Sequence, residues 1–192
     1  MTNQFPNSVS PFQLGERITI LPVVHGSGNC ALAVRQWLLE HPCDCLAVAL
    51  PESFRTSVLE AVERLPTPAL ALQRPLTDFQ GNWQPQSESQ EEEEDSSNVA
   101  WSYVPIDPCQ PVIMALRIAL GEHWRIEFCD LETNAFQPVA AVMPDPYALK
   151  TVSLERFATA ILPSITRPYQ EQTQQRLHYM AWRLRQLEQQ HQ

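Results

Sequence analysis

The chain has 192 residues, 44% of them hydrophobic, and is therefore long enough to bury one substantial core. Its formal net charge is −9, and Glu91–Glu94 with Asp95 supply five of the negative charges. Because no basic stripe accompanies them, nucleic acid is excluded as an expected partner. The absence of a signal peptide and of an apolar run near about 18 residues predicts a cytoplasmic protein without a membrane span.

The first half of the chain predicts a strand–helix–strand unit. The run Arg17–Val24 is β-branched and almost continuously apolar, which predicts a strand buried on both faces. A helical stripe of apolar residues then continues to about Glu40, and His41-Pro42 ends it because proline disfavours a helical residue before it. Cys45–Leu50 is a second apolar run and predicts a second strand.

The rest of the chain continues this alternation around one polar insertion. Residues 73–98 are rich in Gln, Pro, Ser and acidic residues, which predicts a disordered acidic insertion. Residues 1–15 predict a flexible arm, and residues 16–192 predict a single α/β domain with a mostly parallel sheet flanked by helices and a long C-terminal helix. The other predicted elements are strands over 69–72, 101–104 and 125–129, and helices over 53–64, 108–120, 153–162 and 169–190.

Four predicted strands end at histidine or an acidic residue: His25, Glu52, Asp107 and Asp130. Open α/β folds bind their ligands at the carboxyl ends of their strands. His25 and Glu52 are 27 positions apart, about the length of one strand–helix–strand unit, so parallel neighbouring strands would place imidazole beside carboxylate. The alternative is that these polar groups form turns and cap helices, as Asp especially does.

Each of these residues has a chemical role open to it. His25 could be a metal ligand or a general base, and Glu52 could orient that imidazole, ligate the same metal or activate water. Asp107 and Asp130 are candidate substrate-binding residues. Ser27 could bind the substrate or act as a nucleophile, or its hydroxyl could cap the following helix.

Three segments carry a pattern in the same order as a known family. They are His25-Gly26-Ser27, Pro42–Arg55 and Arg176–Leu184. They resemble the H-x-S, P-D-x-V-x-V-E-L-x-x-x-R and R-x-x-x-M-A-x-x-L motifs of the erythromycin esterase/TraB/ChaN-like superfamily, which includes the TIKI metalloproteases. The chain departs from that pattern at Pro22, where the family's G-x-x-H has glycine, and no second G-x-x-H follows the last helix before Gln192.

The resemblance implies a hydrolase domain that acts on a small molecule or a peptide. His25 with Glu52 would activate water, with a divalent metal (Mn, Co or Zn) as the expected cofactor ahead of the haem associated with the ChaN branch. Arg176 would steady the developing oxyanion as a catalytic residue, and Arg183 would contact the substrate.

The alternative is a non-catalytic protein-interaction module of the same fold. The missing second histidine motif favours this module. The motif is missing either because the sequence is the front part of a longer protein or because the protein lacks half of the site. The glutamine-rich C-terminal helix would then bind a protein partner, with Tyr179 and Trp182 as anchors.

Overall fold

The computed structural model describes residues 12–73, 101–133, 136–137, 144–162 and 170–190. Most of the predicted N-terminal arm and of the predicted acidic insertion lies outside these residues. The strands are β1 (Gln13–Leu14), β2 (Ile18–Thr19), β3 (Cys45–Pro51), β4 (Ala69–Gln73), β5 (Ser102–Ile106) and β6 (Arg125–Asp130). The α-helices are α1 (Gly28–Glu40), α2 (Arg55–Glu63), α3 (Pro111–Gly121), α4 (Leu154–Ile161) and α5 (Glu171–Gln190), and short 3-10 helices cover Glu52–Phe54 and Pro146–Lys150.

The strands pair two by two in the described part of the chain. β3 and β6 are parallel, with Cys45 opposite Arg125 and Pro51 opposite Asp130. β1 pairs with β2, and β4 with β5, in the antiparallel sense. The parallel pair, the packed helices and the 20-residue α5 confirm the predicted α/β class and its long C-terminal helix.

The predicted first strand is the main correction to the element assignment. The run from 17 to 24 is a strand only at Ile18–Thr19, and the described neighbour of β3 is β6. Val23 and Val24 instead pack against the buried side of α1, and the Val24 N–H contacts Cys30 Sγ at 3.4 Å. These apolar β-branched residues are therefore partly buried against a helix, which meets the same hydrophobic demand without a strand ladder.

Two apolar clusters hold these elements together. The first joins the β3–β6 pair to α2 and α3, and contains Val48, Val58, Ile113, Leu116 and Phe128 among its buried side chains. The second joins α1 to α3 and α4, and is formed by Cys30, Val34, Leu38, Ala115 and Leu154. Because α3 contributes to both clusters, it connects the two halves of the core.

All five cysteines lie in the described residues, and all are free thiols. Within the ranges that the structure describes, no helix combines the length and the apolar character that a bilayer span requires.

Candidate functional site

The candidate residues fall into two contact groups. His25, Ser27 and Asp107 belong to the turn before α1 and the segment before α3, whereas Glu52 and Asp130 lie at the carboxyl edge of the β3–β6 pair, where α5 brings in its arginines. His25 is exposed, and no hydrogen bond or ion pair between described residues joins it to Glu52. The two would have come side by side only if the run before His25 paired with β3, and that run is a strand only at Ile18–Thr19, which pairs with β1.

In the first group, the polar atoms serve the local backbone. The Ser27 hydroxyl accepts the Cys30 N–H at 3.1 Å and caps α1, and the side chain is buried. Asp107 Oδ1 accepts the Cys109 N–H at 2.7 Å, and its Oδ2 lies 3.4 Å from Gln110 Nε2. Gln110 Oε1 in turn accepts the Gly26 N–H at 3.0 Å. These contacts are of the capping and turn-forming kind that the sequence left open as the alternative.

In the second group, Glu52 forms an ion pair with Arg55. Arg55 Nη2 donates to Glu52 Oε2 at 2.9 Å, and Arg55 Nε donates to Glu52 Oε1. The hydrogen bond that Arg55 donates to Glu52 raises the pKa of the Arg55 guanidinium. Arg55 Nη1 also donates to the Ile126 carbonyl at 2.8 Å, and its guanidinium carbon lies 4.9 Å from the centre of the Phe128 ring. Both oxygens of the Glu52 carboxylate therefore have a partner on α2.

The buried Asp130 carboxylate and the half-buried Arg176 guanidinium form a two-pronged ion pair. Arg176 Nε lies 3.0 and 3.2 Å from the two carboxylate oxygens, and its Nη2 donates to Oδ2 at 2.5 Å. The Asp130 side chain is 3% exposed and also accepts the Leu131 N–H at 2.8 Å, while the guanidinium carbon lies 4.8 Å from the centre of the Phe136 ring. A charge removed from water to this extent is tolerated only because it is paired and hydrogen-bonded.

Other polar contacts between α5 and β6 accompany this ion pair. Arg183 Nη2 lies 3.4 Å from Glu127 Oε2, and Arg125 Nη2 donates to Gln190 Oε1 at 3.2 Å. The three α5 residues are seven positions apart, about 10.5 Å along the helix axis. Two of their strand partners, Glu127 and Asp130, are three residues apart, about 10 Å along a strand. Because the spacing of the α5 residues matches that of their partners on β6, one face of α5 runs antiparallel along β6.

A polar cluster at the same edge was not singled out from the sequence. The Ser53 N–H donates to Glu132 Oε1 at 2.8 Å, and Ser53 Oγ lies 2.6 Å from Glu132 Oε2 and 2.7 Å from Gln73 Oε1. A hydroxyl has one hydrogen, so it can donate to only one of those two acceptors. No motif marks Gln73 or Glu132, because their proximity depends on how β4 and the segment after β6 converge on Ser53.

Cys129 is buried at this edge, and its thiol makes the free energy of unfolding fall at alkaline pH. Its thiol donates to the Val48 carbonyl at 3.1 Å, and burial raises its pKa from 9.0 to about 11. The folded state therefore holds the thiol proton more tightly than the unfolded state does. The contribution is complete below pH 9 and is lost as the pH rises through 11.

We therefore expect the free energy of unfolding to fall more steeply between pH 9 and 11 in the wild-type chain than in Cys129→Ala. Urea titrations at several pH values across this window measure the difference. Parallel pH profiles for the two proteins would contradict the assignment. Cys109→Ala is the matched control, since that thiol is exposed and its removal should leave the wild-type slope unchanged.

Several His, Cys, Asp and Glu side chains lie near these two groups, but they do not converge on a common point. Among the described residues, no three of them are arranged to hold a metal ion. The geometry defines an α/β domain whose parallel-strand edge is charged and is closed by its last helix. Compared with protein-family models, with curated proteins and with solved structures, the chain has no significant match in any of the three.

Proposed function

We propose that this chain is a non-catalytic α/β module that works by binding another protein. The observation that supports this most is the buried pair of Arg176 and Asp130, in which the donors of the arginine face a carboxylate of the same chain. An arginine that steadies an oxyanion must offer its N–H groups to the reacting oxygen. In this protein those groups hold α5 on the sheet.

The energetics of the pair favour the same conclusion. If Arg176 turned towards a substrate, Asp130 would be left as a buried carboxylate without its cation, at a cost of about 3–5 kcal/mol. Glu52 is more exposed, but both of its carboxylate oxygens are paired with Arg55, which reduces its availability as a general base. These charges are therefore better suited to stabilising the fold than to activating water.

A hydrolase of the TraB/ChaN/erythromycin esterase type is the second candidate. The cluster of Ser53 and Glu132 favours it, since a hydroxyl lies 2.6 Å from a carboxylate oxygen at the carboxyl edge of two parallel strands. Such edges are where α/β enzymes hold ligands. In this case Glu52, at the same edge, would supply the water activation.

Metal analysis combined with hydrolysis assays separates the two functions. Purified protein is incubated with Mn²⁺, Co²⁺ or Zn²⁺, desalted, analysed for bound metal and assayed on ester and peptide substrates. We expect His25→Ala to bind the same amount of metal as the wild-type protein. We also expect Glu52→Gln to show the same turnover as the wild-type protein. Stoichiometric metal lost in His25→Ala, together with activity lost in Glu52→Gln, would overturn the proposal. His178→Ala is the control because His178 is also exposed but lies on α5.

A further inference from the structure

The last helix, α5, lies outside the apolar core. Of its 20 side chains, all of them in the described part of the chain, Leu187 alone is buried. By comparison, α3 has 11 residues and buries five of them. Neither of the two apolar clusters formed by the described residues contains a residue of α5. Burial of apolar surface therefore contributes less to holding α5 in place than to holding α3.

Ion pairs carry much of the attachment of α5 instead. Arg176 pairs with Asp130, and Arg183 pairs with Glu127. When the whole helix moves away, both members of each pair enter water, and their hydration offsets much of the attraction that is lost. Substitution of one member is different, because it leaves the other charge buried and unpaired. Ion pairs of this kind therefore oppose detachment of a helix less than apolar packing does.

One face of β6 lies beneath α5. Phe128 packs into the first apolar cluster, so the alternation of a strand turns Glu127 and Cys129 to the opposite face. On that face Glu127 contacts Arg183 of α5. Burial raises the pKa of the Cys129 thiol, and the nearby positive charge of Arg183 lowers it. The strand alternation and this electrostatic contact both place the thiol on the side of β6 that α5 covers.

We propose that α5 is a conformational gate over this face of β6. The helix detaches as a unit while the two apolar clusters stay folded, and its opening exposes Glu127, Cys129 and Asp130. While α5 is in place, the side chains of Asp130 and Glu127 are 3% and 12% exposed, and Cys129 is 4% exposed. A ligand or a partner reaches these side chains only in the open state.

Thiol alkylation tests the proposal, because Cys30 provides an internal control. Cys30 is 1% exposed, but it lies in the second apolar cluster rather than beneath α5. The folded protein is treated with iodoacetamide, and the alkylation of each cysteine is followed by peptide mass spectrometry. We expect Cys129 to be alkylated at least about tenfold faster than Cys30, which requires an opening that leaves the core folded.

Substitution of Arg183 tests whether α5 controls this rate. Arg183→Met should accelerate alkylation of Cys129 about fivefold or more and leave Cys30 unchanged. Loss of the cation raises the pKa of the thiol and by itself slows alkylation, so a faster rate reports opening of the helix. Arg185→Met, on the exposed side of α5, is the matched control and should change neither rate.

Circular dichroism establishes that Arg183→Met is folded, and Leu187→Ala repeats the test if it is not. Equal alkylation rates of the two thiols in the wild-type protein would overturn the inference, because Cys129 would then be exposed only by global unfolding. Acceleration of both thiols alike in Arg183→Met, or of neither, would overturn it as well. The gate does not depend on the proposed function: positive metal and hydrolysis assays would overturn that function and leave the opening of α5 unaffected.

Discussion

Arg176→Met is expected to lower the free energy of unfolding by about 3–5 kcal/mol. The substitution keeps a long side chain but leaves the Asp130 carboxylate, 3% exposed, without its cation. Since the pair fixes α5 to β6, the helix should also exchange its amide hydrogens faster than α1 does. Urea denaturation measures the first effect, and hydrogen exchange followed by mass spectrometry measures the second.

The control for this prediction is Arg185→Met on the exposed side of α5, which should change the free energy by no more than about 0.5 kcal/mol. The double variant Asp130→Asn/Arg176→Met should be more stable than Arg176→Met, because it removes the orphaned charge. A double variant as unstable as the single one would show that packing of the Arg176 side chain, rather than its charge, stabilises this edge.

Phe128→Ala should also lower the free energy of unfolding by about 3–5 kcal/mol. The ring is 2% exposed in the centre of the cluster that joins β6 to α2 and α3, and the Arg55 guanidinium carbon lies 4.9 Å from its centroid. Removing the ring creates a cavity and also removes the surface that positions Arg55 beside Glu52. Denaturant unfolding provides the measurement.

Tyr103→Ala is the matched control for Phe128→Ala, since both substitutions remove an aromatic ring from a strand. Tyr103 is 64% exposed on β5, so we expect a loss of about 0.2–1 kcal/mol from its cross-strand contact with Leu72. Similar losses in the two variants would mean that the Tyr103 side chain is buried in solution.

Local signals accounted for most of the helices and strands. The predicted second strand, Cys45–Leu50, corresponds to β3 at Cys45–Pro51, and the helix predicted to end near Glu40 ends there. Ser27 begins that helix through its side-chain cap, and Ser153 begins α4 in the same way. Capping, proline positions and apolar periodicity depend on residues a few positions apart, which is why sequence patterns reveal them.

The candidate site was predicted only in part. The acidic residues at the ends of β3 and β6 do lie at one edge, since Pro51 is opposite Asp130. The predicted contact between His25 and Glu52 depended on pairing of the run before His25 with β3, whereas the strand in that run, β2, pairs with β1. Whether these residues act on a substrate stays a prediction, to be tested by the metal and hydrolysis assays.

The amino-acid sequence by itself determined the α/β class and the positions of its helices, because each follows from local propensity and periodicity. Only the tertiary structure decided which strand lies beside β3 and which cation meets Asp130, since Arg176 is 46 positions further along the chain. Many pairings of apolar strands and of opposite charges satisfy the same local rules. The choice among them is made by packing of the whole core and by the spacing of α5 along β6.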